Sequence, residues 1–275
     1  MTAAPGSSRG RKLQQHAVAL LRKAGLLPLA EWARFQLVVL KQKTNNTAFL
    51  ETHPDFVPPP ANVMHDAYSM VSYRTYLETG AAEARMIAGL IGRYCPNARS
   101  VLEWGCGPAR VIRHLPGLLP GVALYGVDYN ETSINWCRSA LQGIAFATCG
   151  LAPPLPTREK FDVIYAISVL THLSVEQQNA WVRELKSALK PGGILIITLH
   201  GERCFWALLE SERSELDEKG VLVRGGVEEG KRCYTSYHTP RYVREHLFAG
   251  LTIREHFPQN PCPHTMQDIW VVQAD

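Results

Sequence analysis

From Arg99 to Leu199 short apolar runs alternate with amphipathic segments, and that alternation narrows the choice of fold more than any other feature of the chain. The runs Ser100 to Glu103, Ala123 to Val127, Ile144 to Thr148, Phe161 to Ala166 and Ile194 to Leu199 are of strand length and carry the Val, Ile, Leu and aromatic residues of a sheet interior. The intervening segments predict helices starting at Ala109, over Glu131 to Leu141, and over Val175 to Leu189, the last opened by the capping box Ser174-x-x-Gln177. Apolar runs separated by helices make a parallel sheet with right-handed crossovers, covered on both faces. The expected fold class is therefore α/β. Beyond Glu210 a charged segment to Lys231 reads as a lid or insertion. A strand near Tyr234, a helix opened by Thr239-Pro240, and strands Leu251 to His256 and Ile269 to Val272 follow it.

The first strand runs into Glu103-Trp104-Gly105-Cys106-Gly107-Pro108-Ala109-Arg110. Gly105 and Gly107 allow a sharp turn with no Cβ in the way, so a ligand can approach the backbone itself. A dinucleotide fingerprint needs a glycine where Arg110 stands, and Pro108 stiffens the turn, which argues against nicotinamide and flavin. Asp128 ends the second strand, where a carboxylate can accept hydrogen bonds from both hydroxyls of a ribose; NAD enzymes share that feature.

An acidic residue followed by G-x-G-x-G, with Ala109 in place of the third glycine, resembles motif I of the class I S-adenosylmethionine (SAM) dependent methyltransferases. Asp128 follows in the family's order, as do Cys149-Gly150-Leu151 ahead of Phe161-Asp162-Val163-Ile164-Tyr165, then Ser168-Val169-Leu170-Thr171-His172-Leu173, and Leu189-Lys190-Pro191-Gly192-Gly193. Gly107 to Arg113, Asp128-Tyr129-Asn130 and Gln267-Asp268-Ile269-Trp270 are similar to bacterial small-molecule or glycan-type members. The resemblance implies SAM as cofactor and a Rossmann-like, doubly wound, mostly parallel seven-stranded sheet in the order 3-2-1-4-5-7-6. It places Glu103 at the methionine amino group, Trp104, Gly105, Cys106 and Gly107 against the cofactor, and Asp128 with Tyr129 at the ribose. Cys149, Gly150 and Leu151 stand where the family often offers an acidic or amide side chain to adenine, and Ser168 follows the fourth strand. Tyr76, in a segment that covers the cofactor in such enzymes, joins Trp104 and Tyr129 as an aromatic neighbour of the sulfonium.

Methyl transfer is an in-line displacement in which the protein aligns and desolvates the reactants. A hydroxyl acceptor needs a base, and His172, after the fourth strand, is the first candidate; His200 and His238 are reserves. For each, a hydrogen-bonded structural role is the competing reading. The D/N/S-P-P-Y/F motif of base amino-methylation is missing after strand four, Pro261-Cys262 lies too far downstream for a cytosine nucleophile, and no carboxylate cluster suggests magnesium. The expectation is methylation of a small molecule or glycan, at oxygen, with no nucleic acid and no metal. Two alternatives stay open: a non-catalytic SAM-fold scaffold with a membrane- or partner-binding N-terminus, and an NAD-dependent oxidoreductase, disfavoured by Arg110.

The net charge of +4 conceals an asymmetry: residues 1–43 carry Arg9, Arg11, Lys12, Arg22, Lys23, Arg34, Lys41 and Lys43 against Glu31 alone. After a small polar stretch expected to be disordered over residues 1–10, Leu13, Ala17, Leu20, Leu21, Ala24 and Leu27 share a helix face, and a second helix is expected over Leu29 to Lys41. Two basic amphipathic helices suit peripheral contact with an anionic membrane; packing on their own domain or a second subunit is the other reading. Thr44 to Val63, with Pro54, Pro58, Pro59 and Pro60, should run extended, which divides a basic helical extension with its linker (1–62) from a methyltransferase domain (63–275). A break is expected at Gly80 before a helix over Ala81 to Tyr94. The apolar runs are too short to span a bilayer, the N-terminus lacks a signal-peptide pattern, and seven scattered cysteines without a C-x-x-C pair read as reduced thiols. The expected location is the cytoplasm, with the oligomeric state left open.

Overall fold

The structure is a computed structural model and describes residues 8–262 and 265–274. Helices α1 (Ser8–Lys23) and α2 (Leu27–Thr52) precede α3 (Ala61–Tyr68) and α4 (Tyr73–Tyr94). Next come β1 (Ser100–Trp104), the short α5 (Leu115–Leu118), β2 (Ala123–Asp128), α6 (Glu131–Ala140), β3 (Ile144–Thr148), β4 (Phe161–Ala166), α7 (Val175–Ala188) and β5 (Leu189–Leu199). The chain ends with α8 (Glu210–Lys219), β6 (Val221–Arg224), β7 (Thr235–His238), α9 (Pro240–Tyr242), β8 (Thr252–Phe257) and β9 (Asp268–Gln273). Of the stretch expected to be disordered, residues 1–7 lie outside the described residues and 8–10 belong to α1.

Seven strands form one sheet in the order β3-β2-β1-β4-β5-β9-β8. The first five are parallel, and β9 runs antiparallel to both β5 and β8. Numbered along the sheet's own strands this is 3-2-1-4-5-7-6, as expected. Alternate residues feed two cores: Leu102, Ile164, Leu195 and Trp270 pack on one face with Trp181, and Val101, Val163, Ile194 and Ile196 on the other with Ile87 and Ile134. Side-chain caps start the helices where the sequence placed them. Asn130 Oδ1 accepts from Ser133 N at 3.0 Å for α6, and Ser174 Oγ accepts from Gln177 N at 3.3 Å for α7.

Three expectations are corrected. No helix begins at Ala109: that residue is left-handed (φ +53°), and the chain makes only a 3-10 turn at Ile112–His114 before α5. The Ile112 N–H goes instead to the Glu103 carboxylate, at 3.1 Å. Helix α4 does not break at Gly80 but runs through it, crossing so close to the next loop that a Cβ there would lie 2.0 Å from the Arg110 carbonyl oxygen. Helix α2 continues to Thr52, a turn follows at residues 54–55, and extended chain is confined to residues 56–60, where the prolines keep α2 and α3 apart. The charged segment before Lys231, expected as a lid or insertion, is an insertion between β5 and β8: it holds α8 and β6, which pairs antiparallel with β7.

The N-terminal helices pack on the chain itself along one side. Arg22 donates to the Gly225 and Cys233 carbonyls, both at 2.7 Å, and Glu31 pairs with Arg232. Asn46 accepts from Tyr73 N at 3.1 Å and donates to Val71 O at 2.8 Å, fastening α2 to the start of α4. No described helix is long and apolar enough to cross a membrane.

Gly80 and Gly89 lie on the same helix in opposite circumstances, since a Cβ at Gly89 meets nothing within 4 Å. Denaturant unfolding should show Gly80→Ala destabilised by about 1–3 kcal/mol through overpacking, and Gly89→Ala stabilised by about 0.4–1 kcal/mol.

Candidate functional site

In the sheet order, β1 lies between β2 and β4, and the chain leaves it to one side before returning to the other. Open α/β sheets bind ligands at such a switch point, outside the carboxyl ends of the strands. A cavity of about 1010 Å³ lies there, floored by the loops after β1, β2, β3 and β4 and roofed by α2, α3 and residues 227–233.

Gly105 (φ +74°) and Gly107 (φ +50°) adopt conformations that a side chain would strain. A Cβ on Gly105 would also strike Val169 at 2.2 Å, and one on Gly107 would lie 3.1 Å from the Tyr68 hydroxyl. The amides of Gly105 and Cys106 both donate to Val127 O, at 2.8 and 3.0 Å, which ties the turn to β2. Asp128 Oδ2 accepts from Gly107 N at 2.7 Å and Oδ1 from Asn130 N at 2.8 Å. Each oxygen keeps a lone pair for a second donor, and the residue lines the cavity. Burial raises the Asp128 pKa, against the pull of these backbone donors.

Glu103 sits beneath the turn. Burial pushes its carboxyl up to about 8, opposed by the neighbouring Tyr165 hydroxyl, Arg110 and the Ile112 N–H. A cation brought against Glu103 would restore its ionised form, so this position is poised to take one. Arg110, seen in the sequence only as a misfit to the dinucleotide pattern, is a buried cation of the cavity wall. It pairs with Glu83 at 2.5 Å, donates to Thr79 Oγ1 at 3.2 Å, and lies 4.9 Å over the Tyr68 ring. Glu83 was detectable in principle: it interrupts the apolar stripe Tyr76, Gly80, Ala84, Ile87, Ile91 of α4, and an acid in such a stripe needs a buried partner.

His172 ends the 3-10 turn that follows β4. Its Nδ1 lies 2.7 Å from the Tyr234 carbonyl, which can only accept, so Nδ1 carries the proton and Nε2 the lone pair. Nε2 is 3.4 Å from Ser168 Oγ, on the cavity side. Burial lowers the His172 pKa and keeps the ring neutral. Ser168 is itself strained (φ +63°) and held from every direction. Its N–H donates to Thr198 Oγ1 at 2.8 Å, Thr198 donates to Gln267 Oε1 at 2.6 Å, and Gln267 Nε2 donates back to Ser168 Oγ at 2.7 Å. The Thr171 hydroxyl is committed to Ser168 O at 2.6 Å. The Ser168 proton is thereby left to Thr171 Oγ1 or His172 Nε2.

The cavity gathers most of the residues singled out in the sequence. Glu103, Trp104, Gly105, Cys106 and Gly107 line it after β1, and Asp128 with Tyr129 after β2. Cys149, Gly150 and Leu151 follow from β3, then Ser168 and His172 from β4. Within that set Trp104 also packs on Trp181, ring centroids 4.7 Å apart, and the Leu151 carbonyl is taken by Trp181 Nε1 at 2.7 Å.

Three candidates lie elsewhere. Tyr76 is fully buried behind the glycine turn, donating to Pro108 O at 2.5 Å and accepting from Arg113 at 3.1 Å, because its stripe of α4 faces the loop and not the cavity. His200 is turned away by β7: Nδ1 bonds the Ser236 carbonyl at 3.0 Å, the ring stacks on Tyr237, and burial depresses its pKa to about 4. His238 is a core residue bonded to Gln178 at 2.9 Å, with its pKa down to about 3. The cavity also takes Gln267, from the segment similar to bacterial members ahead of β9, together with Trp32 and Phe35 from α2, His65 from α3 and Arg232, which carry no local motif.

Residues 101–193 match the family model described as a methyltransferase domain. The trans-aconitate 2-methyltransferase of Variovorax paradoxus is 28% identical over 131 residues, 48% of this chain and 49% of that protein. The malonyl-[acyl-carrier protein] O-methyltransferase of Halalkalibacterium halodurans is 26% identical over 164 residues, 57% and 58% of the two chains. The chain thus spans about half the length of these relatives. In fold it is similar to a SAM-bound amino pentose methyltransferase of Micromonospora echinaspora, with a TM-score of 0.54 and 16% identity over 74% of this chain and 94% of that one. Arg110, held by Glu83 where a dinucleotide site requires glycine, leaves the oxidoreductase reading without support. Residues 101–193 thus carry a methyltransferase domain, and the sheet around it has the strand order of the class I S-adenosylmethionine-dependent methyltransferase fold.

Proposed function

We propose that the protein transfers a methyl group from SAM to a hydroxyl of a small-molecule or glycan acceptor. The observation that carries this reading is the placing of two buried carboxylates, Glu103 and Asp128, on either side of one glycine turn, with a neutral histidine of fixed tautomer in the same cavity. The residues fit the cofactor. Glu103 takes the amino group, the Gly105 to Gly107 backbone lies against the methionine portion, and Asp128 accepts from the ribose hydroxyls. When bound, SAM supplies an activated methyl and a neutral thioether leaving group. His172 Nε2 accepts the acceptor's hydroxyl proton, while the Tyr234 carbonyl stabilises the imidazolium through Nδ1–H. Gln267 and Thr198 hold Ser168 in register with that nitrogen.

The acceptor side of the cavity is a mixed surface. Leu27, Trp32 and Phe35 give an apolar and aromatic wall, and Asp66, Glu228 and Lys231 place charges of both signs near it. Such a surface suits a polyhydroxylated ring, stacked on an aromatic face and hydrogen-bonded at its edge, better than a polyanion.

Titration calorimetry with SAM should show Asp128→Ala weakened by about tenfold to hundredfold, the loss of charge-assisted hydrogen bonds, with no heat from NAD in either protein. Glu103 binds its proton up to about pH 8, so binding an ammonium there releases a proton at lower pH. Affinity should therefore rise between pH 6 and 7 by up to about tenfold, and Glu103→Gln should abolish that rise. Should the wild type show neither proton release nor pH dependence, the assignment of Glu103 fails.

For the base, His172→Ala should lower kcat by about 10²- to 10⁴-fold while leaving SAM affinity unchanged. In the wild type, activity should fall as pH drops below the ordinary histidine range, because the lowered pKa keeps His172 neutral above it. An alanine variant with full activity and no acid limb would point to a carboxylate acceptor, which needs no base.

A further inference from the structure

Helix α2 is apolar on two sides, which a helix packed on one side of a water-soluble body has no reason to be. Along one side Leu27 and Phe49 are buried and Phe35 lines the cavity. Along the other Leu29 (63%), Leu37 (57%) and Leu40 (69%) stand exposed. With Ala33 they recur at the spacing that places side chains in one stripe of a helix. Trp32 is 61% exposed at the edge of this stripe, and Leu20 and Leu26 extend it around the corner into α1. A contiguous apolar surface of this kind marks an interaction site.

Charge identifies the occupant. On the α-helical repeat, Arg34 and Lys41 fall on one flank of the leucine stripe and Lys43 on the other. Glu31, the single acid of residues 1–43, is engaged by Arg232 and Arg34. Among the described residues Lys41 and Lys43 have no acidic partner. A second copy docked on the same face would gather an excess of cations, since Glu51 is the single acid on that side of α2. An anionic lipid surface reverses that interaction, accepts the leucines into its acyl boundary and suits tryptophan at its headgroup level.

We propose that α2, with the corner it makes with α1, docks the protein on an anionic membrane surface. Trp32 belongs to both the exposed stripe and the cavity wall, so docking brings the mouth of the cavity to the lipid interface. The acceptor then enters from that interface.

The test uses the full chain and phosphatidylcholine vesicles with and without roughly one-third phosphatidylglycerol, read by co-sedimentation. Binding to the anionic vesicles should exceed binding to neutral ones by about tenfold, and that excess should disappear near 0.5 M salt, where exposed charges are screened. The triple variant Leu29→Ser, Leu37→Ser, Leu40→Ser should lose binding at both compositions. The double variant Lys41→Glu, Lys43→Glu should lose the anionic preference, each variant melting as the wild type does. Equal binding to both vesicle types, or none, overturns the proposal. So does a concentration-dependent dimer in light scattering that the leucine variant abolishes, since a second copy would then own the face.

Discussion

Asp128 accepts the Gly107 N–H on one oxygen and the Asn130 N–H on the other, so a single buried carboxylate joins the turn after β1 to the start of α6. Glu103 does the same for the far end of that turn through Ile112. Together the two acids satisfy backbone amides at both ends of the turn, and the loop from Gly105 to Arg110 can stay open as a backbone cradle. Burying carboxylates is costly, and donors from the backbone offset that cost only while the turn keeps its shape. The raised pKa of each acid records the remainder, a tension that a ligand carrying a cation or hydroxyl donors relieves.

What encloses this cradle comes from outside the alternating core. The loop over residues 228–233 touches the segments after β2 and β4 and reaches α2. Gly230 N–H donates to His172 O at 2.9 Å, Tyr129 donates to Gly230 O at 3.2 Å, and Glu229 accepts from Ser174 N at 2.6 Å. Arg232 reaches across to Glu31 of α2. The hairpin of β6 and β7 that carries this loop also orients His172 and His200 through the carbonyls of Tyr234 and Ser236. The roof and His172 are therefore tied together, with the N-terminal helices attached to them through Arg22.

The parallel sheet was legible because its cause is local: apolar runs of strand length, punctuated by capping residues and glycine turns, report burial without knowledge of the partner. Gly105, Gly107 and Asp128 were legible for the same reason. The helix expected at Ala109 was not formed, since Ala109 is left-handed and the Ile112 N–H goes to Glu103, and neither can be inferred from periodicity. Gly80 looked like a helix breaker; its purpose, close passage over the Arg110 carbonyl, exists only once α4 is packed. Tyr76 was assigned to the cofactor from its place in a covering segment, yet a rotation of α4 turns it toward Pro108.

By itself, then, the sequence determined the α/β class, the switch point, the glycine turn and the acids around it, all set by backbone sterics and the period of burial. The tertiary structure decided that His172 lines the cavity while His200 and His238 do not, that Arg110 is paired rather than open, and that α2 has one face packed and one exposed. Those outcomes rest on contacts between distant parts of the chain. The Gln267 to Ser168 bond spans 99 positions and the His172 to Tyr234 bond 62, and no local pattern encodes a partner that far away.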